Sequence, residues 1–547
     1  MRSISSKLAV LLLAATSFAQ AQHQHHESEP SRMTELLEGL GNHSHPIATQ
    51  SALAQRFFDQ GLALIFGFNH DEAARLFARA SELDPKSPMP HWGIALALGP
   101  NYNLPPMPER EEKAWRAIAK ATELARTAPE NERAYVEALV KRYSKDVHED
   151  RQKLAVAYKD AMKVVKERYP DDLDAATLYA EALMNLRPWQ LWTADGVPAE
   201  GTLEIVAVLE GVLRRDPNHP GANHYYIHAI EASKTPEKAL PSAMRLGSIM
   251  PGAGHIVHMP SHIFLRVGDH QSSASVNETA SEVDRKYIER SQAKGIYPLM
   301  YYSHNLHFVS FARMMQGKYD EALDYARRLR NNVDGAIDEM PMLAPYGTFE
   351  WLVLARFAKW DELLAQPLPK EKNSFVNAMY RYSRGLAFAR LGKVKEAQSE
   401  RAAMDEIACR IPEQESLMIN KVGNVVAIGL ADLDARISRA QNDAMAELTH
   451  WRRAVELEDK LRYMEPPEWH YPVREALGGA LLRQGKAADA EAVFRKDLEI
   501  HPRNGRSLFG LLEALKAQQK FVSTDWVQKE FSEAWKYSPT SLTIEEL

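Results

Sequence analysis

Two strings in the chain place imidazoles at helical spacing: His224-Tyr225-Tyr226-Ile227-His228, and His255-Ile256-Val257-His258-Met259-Pro260-Ser261-His262. Residues three or four apart on a helix share a face. His224 with His228, His258 with His262, and His255 with His258 therefore project together, which is the local geometry by which two imidazoles bind one metal ion. Glu231 follows on the face of His224 and His228, as a ligand, a base for bound water, or an acceptor for an imidazole N–H. Imidazole suits zinc, copper, iron and nickel. Met259 beside His258 offers a soft thioether that favours copper(I), although a helix turns it about 100° away, where it equally suits the core. The one cysteine, Cys409, leaves no disulfide and no paired-thiolate site. The sequence has no Walker A, G-x-S-x-G or H-E-x-x-H string, so common nucleotide, serine-hydrolase and zincin chemistries have no support.

The elements that must position these histidines repeat. Phe57, Gly61, Leu64, Ala73, Phe77, Ala80 and Pro85 follow one grammar of small, aromatic and helix-ending residues. Leu477, Gly478, Leu481, Ala490, Phe494 and Pro502 follow it again, and both units run 24 residues from glycine to proline. Weaker units appear at Gly317 with Ala322, Gly392 with Ala397, and Gly485 with Ala490. These spacings resemble the tetratricopeptide repeat (TPR) family. The resemblance implies an all-α, right-handed superhelix (α-solenoid) of antiparallel helix pairs, and helical periods with no strand signals agree with it. Insertions at Gly99–Pro108 and Pro188–Pro198 interrupt the consensus. A break at residues 331–347, with Asp334-Gly335, Pro341 and Pro345, divides an N-terminal array at 51–330 from a C-terminal array at 331–547.

The repeat register follows without using the histidines. Ala239 and Pro251 carry the Ala-to-Pro spacing of the two clear units, which starts one unit at residue 220 and the next at 254; Gly317 with Ala322 starts a third at 303. In TPR proteins the second, fifth and ninth positions of the first helix line the concave groove. The resemblance places His255 and His304 at second positions, His224, His258 and His307 at fifth, and His228 and His262 at ninth. With 20 His in 547 residues, nine positions would hold about 0.3 histidines by chance; seven are His, the exceptions being Gly221 and Phe311. The expected metal ligands are His224, His228, His255, His258, His262, His304 and His307, with Glu231 as the candidate catalytic group. Seven imidazoles exceed what one zinc takes, which implies a dinuclear centre or one ion with surrounding partners. His91, His148, His450 and His501 are read as packing residues. In Phe68-Asn69-His70 the asparagine is expected to cap a helix, and the segment Glu465–Pro472 is expected to be a packing wedge around Trp469 and Tyr471.

With 45% hydrophobic and 26% charged residues the chain is expected to be globular, and a net charge of -6 gives no basic field for nucleic acid. Residues 1–21 carry Arg2 and Lys7, the apolar run Leu8–Ala15, and Ala19-Gln20-Ala21, a signal-peptide pattern with cleavage after Ala21. Residues 22–50, holding His23, His25, His26, His43 and His45, are expected to be a flexible His-rich linker. The expectation is a periplasmic or secreted protein with no membrane span after cleavage. It would bind a transition metal, copper favoured and zinc or iron also suited, either as a metal-binding protein or as a metal-dependent oxidoreductase or hydrolase. The alternative is a TPR scaffold that grips an extended peptide or protein segment and holds no metal.

Overall fold

The computed structural model describes residues 35–146 and 148–547; the expected signal segment, residues 1–21, and His23, His25 and His26 lie outside them. The described chain is all-α, a TPR-type solenoid in which consecutive helices pack as antiparallel pairs, such as Ala52–Phe66 with His70–Leu83 and Val473–Arg483 with Ala487–Ile500. Its only β pairing among described residues is three isolated bridges in loops. None of its helices is long and apolar enough to cross a membrane.

Close helix approach explains the repeat grammar. A Cβ on Gly61 would lie 2.7 Å from the Phe77 ring, and one on Gly93, in the following helix, 2.5 Å from the same ring. Phe494 is held the same way between Gly478 and Gly510. The aromatic of each second helix thus fills the space that two glycines leave open. The helices end at Leu83 and Ile500, just ahead of Pro85 and Pro502, which cannot continue the hydrogen-bond ladder. The register read from spacing also holds: helices begin at Pro220, Gly254 and Ser303. Around residues 334–343 a turn and the 3-10 segment Pro341–Leu343 replace regular helix. The buried apolar residues form two clusters, one from Leu40 to Ile263 and one from Met300 to Leu547.

The superhelix brings distant units together. Tyr287 Oη donates to Glu72 at 3.0 Å, Arg266 lies over the Tyr463 ring at 5.5 Å, and Ser538 Oγ donates to the Gly317 carbonyl at 3.2 Å.

Residues 35–50 correct the expectation of a flexible linker, because they are clamped to the array. Gly252 N–H donates to Gly39 at 2.8 Å, and Gln60 holds both the N–H and the carbonyl of Leu37. His43 Nε2 and His45 Nδ1 donate to the two oxygens of buried Asp174 at 2.9 and 2.8 Å, and His219 Nε2 lies 3.1 Å from the first. This group could also hold a cation, but as it stands its histidines are ion-paired. Burial opposes charging His43 and His45, yet the hydrogen bonds and charge of Asp174 outweigh it and raise both above 6.5. Burial likewise opposes charge on Asp174, and the three histidines outweigh it, holding its carboxyl well below 3.8.

The sign of the linkage follows. The histidine contribution is complete below pH 6.5 and is lost as pH rises through the raised values, while the Asp174 contribution disappears only in strong acid. Hydrogen exchange of residues 35–50 should therefore accelerate between pH 6 and pH 9 beyond the intrinsic chemical trend, and Asp174→Asn should accelerate it at pH 6. Equal protection in both proteins across that range would show that the clamp does not hold the segment.

Candidate metal centre

Six of the seven expected ligands form two triads. One ring nitrogen from each of His224, His228 and His255 lies within 4.8 Å of the others, and the same holds for His258, His262 and His304. The triads adjoin: His255 and His258 ring centres are 5.6 Å apart, and His228 and His262 are 5.7 Å apart. The first triad stands on the helix Pro220–Ile230 and the short helix Gly254–His258; the second uses His258, the helix Pro260–Arg266 and the helix Ser303–Met315.

The partners of the rings fix which nitrogen carries the proton. His224 Nδ1 lies 2.5 Å from the Phe66 carbonyl, and His228 Nδ1 lies 2.9 Å from Glu231 Oε1. His262 Nδ1 lies 2.5 Å from Glu231 Oε2. A carbonyl or carboxylate only accepts, so each Nδ1 donates and each Nε2 keeps a lone pair. His258 Nδ1 faces Asn277 Oδ1 at 2.6 Å, and the Asn277 amide is oriented by donation from its Nδ2 to the Ser273 carbonyl at 2.7 Å. His258 Nε2 and His262 Nε2 face each other 2.9 Å apart. In the first triad, Nε2 of His224, His228 and His255 are all buried without a hydrogen-bond partner. Clustered, buried Nε2 atoms suit a shared cation, and rings held from behind by carbonyl and carboxylate are the arrangement that orients imidazole ligands.

Burial dominates the electrostatics. Desolvation, reinforced by neighbouring imidazoles, pushes His224, His255, His258 and His304 well below 6.5. Desolvation also lowers His228, although Glu231 opposes it. Glu231 itself is buried, which alone would raise it, but His262 and His228 bring its carboxyl down to about 2. His224, His228, His255, His258 and His304 are thus held toward the neutral form that coordinates, with one carboxylate spanning both triads.

The histidines do not line an open groove, as the repeat resemblance implied. His224, His228, His258 and His262 are all 0–1% exposed. The reason is local chain that the repeat pattern does not contain. The first inter-helix turn places Phe68, at φ 56°, against the rings: 4.5 Å from His224, and stacked on His255 and His228 at 5.5 and 5.8 Å. Tyr102 and Trp189, from the two insertions that degrade the consensus, lie 5.1 and 5.6 Å from His228. Asn69 does cap its helix, accepting from Glu72 N–H at 3.4 Å, but the neighbouring Phe66 carbonyl and Phe68 ring belong to the site and were not anticipated. The exceptional Gly221 is explained too: a Cβ there would lie 2.5 Å from the Phe66 ring.

Three expectations shift. His307 stands apart from both triads, its ring packed 4.4 Å from Phe349, and burial lowers it to about 3. Met259 is fully buried and packs in the apolar cluster of the N-terminal half, the core position its helical turn equally suited. Trp469 and Tyr471 pack as expected, yet their segment also walls a cavity shared with His304, His307, Met342, Met418 and Met464. His501 pairs with Asp497 at 2.9 Å, and His148 is exposed.

No protein-family model matches the chain, and no curated protein matches it in sequence. Among solved structures, the human IFIT1 dimer with m7Gppp-AAAA aligns at 12% identity over 89% of this chain and 91% of that one, with a TM-score of 0.34. The APC/C hetero-tetramer Cut9-Hcn1 aligns at 12% identity over 93% and 82%, with a TM-score of 0.32. Both likenesses concern an all-helical repeat architecture, and the chemistry of the centre draws on neither.

Removing one orienting partner should loosen the ligands it holds. Glu231→Gln puts an amide N–H against one imidazole N–H and should weaken metal retention about 10- to 100-fold. His228→Ala and His258→Ala should lower metal content, while His148→Ala and His501→Ala leave it unchanged. Elemental analysis after equilibrium dialysis, paired with thermal unfolding of each metal-free variant, checks this; equal metal content in all five variants would remove the two triads as the binding site.

Proposed function

We propose that the chain is an exported TPR-type protein that carries two transition-metal ions, one in each imidazole triad. The observation that carries the reading is the convergence of buried Nε2 lone pairs whose rings are fixed from behind by the Phe66 carbonyl, Glu231 and Asn277. Copper is favoured, with zinc and iron as alternatives. Its support now comes from Met342, Met418 and Met464, which border the cavity at His304 and whose thioethers are the soft donors that select copper(I).

Three protein ligands with an open position is the pattern of catalytic rather than structural sites. Metal bound there supplies Lewis-acid or redox chemistry, which makes a metal-dependent hydrolase or oxidoreductase the activity to look for. Glu231 acts as the acceptor that holds His228 and His262 in one tautomer, since each of its oxygens already takes an imidazole N–H. Phe68, Tyr102 and Trp189 exclude bulk water from the first triad. The cavity bordered by His304 and the three methionines, about 30 Å³, has room for a water molecule beside the second.

Reconstitution of metal-free, untagged protein with copper, zinc and iron in turn tests the reading. Two equivalents per chain, retained through gel filtration, are expected. A ratio near zero for every metal would reject the centre and leave the scaffold alternative, a groove for an extended protein segment.

A further inference from the structure

The C-terminal half holds a second cavity, of about 400 Å³, whose lining includes Arg356, Lys359, Arg390, Arg436 and Arg506. That volume lies in the range of small-molecule sites. Two of the arginines are neutralised: Arg356 pairs with Glu475 at 2.6 Å and Arg436 with Asp432 at 2.6 Å. Arg506, 7% exposed, donates only to the backbone carbonyls of Glu546 and Arg356, at 2.9 and 3.1 Å. Arg439, beside the same group, donates only to the Glu545 carbonyl, at 3.2 Å. Arg390 has no carboxylate within ion-pair distance among the described residues.

The lining acids do not balance these charges. Asp320, Glu545 and Glu546 are exposed, and Glu546 turns back to accept from Thr543 N–H at 2.9 Å. Burial and then the neighbouring guanidinium groups depress Arg390, bring Arg439 down to about 10, and bring Arg506 down to about 9. Like charges are crowded here in a way that an anion would relieve, and arginine forks match phosphoryl oxygens bidentately. Tyr382 and Tyr471 form part of the wall, so the pocket also offers aromatic surface to the body of a ligand.

We propose that this cavity binds the phosphoryl group of a small soluble molecule, with Arg390 and Arg506 as its principal contacts. His470 walls both this cavity and the one beside His304.

Calorimetric titration of the full chain with pyrophosphate at low ionic strength tests it. Saturable binding is expected, weakened by added salt and lost in Arg390→Gln and Arg506→Gln. The Arg390→Gln variant breaks no ion pair, so its thermal stability without anion should equal or exceed that of the parent chain, which keeps the test free of a folding defect. No heat with pyrophosphate, or undiminished binding in Arg390→Gln, would overturn the proposal. Capture of phosphatidylglycerol vesicles that depends on Arg390, with no pyrophosphate binding, would assign the cluster to a lipid surface and overturn it equally.

Discussion

Two imidazole nitrogens buried 2.9 Å apart, with the opposite nitrogen of each ring facing an oxygen acceptor, constrain the centre of this molecule. Glu231 sets this arrangement, because its two oxygens fix His228 in one triad and His262 in the other. A buried carboxylate without partners is costly; here two N–H donors satisfy it, and in return it holds both rings with Nε2 directed inward. Remove that carboxylate and His228 and His262, one ring in each triad, lose the acceptor that orients them.

The rest of the fold serves this geometry. Helix Gly254–His258 packs on His270–Ser291, and Gly254 is required there because a Cβ would strike the Asp284 carboxylate. Asp284, whose carboxyl burial raises to about 7, also accepts from Tyr297 Oη and Asn305 Nδ2, at 2.8 and 2.7 Å. It thereby links the second and third histidine helices. The superhelical turn carries the first repeat back over the triads, so that Phe66 and Phe68 close what a straight array would leave open. Clamping residues 35–50 onto Asp174 holds that first repeat against the helix of His224.

Much of this was legible in the sequence, for physical reasons. The Gly–aromatic grammar records close helix approach, so it located units and their register, and the starts at 220, 254 and 303 follow from it. Helical spacing placed six ligands on facing surfaces. It could not separate His307, whose direction depends on the neighbouring Phe349, nor reveal that Met259 faces the core. Nor does spacing along the chain reveal contacts made one superhelical turn away: the Phe66 carbonyl, the Phe68 ring, and the Tyr102 and Trp189 insertions are such contacts. His43 and His45 looked like a solvated tail because their acceptor, Asp174, is more than a hundred residues distant. The arginine pocket was missed for the same reason, since its members come from four separate helices.

Anomalous diffraction from crystals of the reconstituted protein, collected above and below the absorption edge of the bound metal, locates each ion. Two peaks are expected within a few ångströms of each other, one on Nε2 of His224, His228 and His255, the other between His258 and His262. Loaded protein whose anomalous density lies only at the N-terminal histidines, with none at either triad, would contradict the two-ion centre.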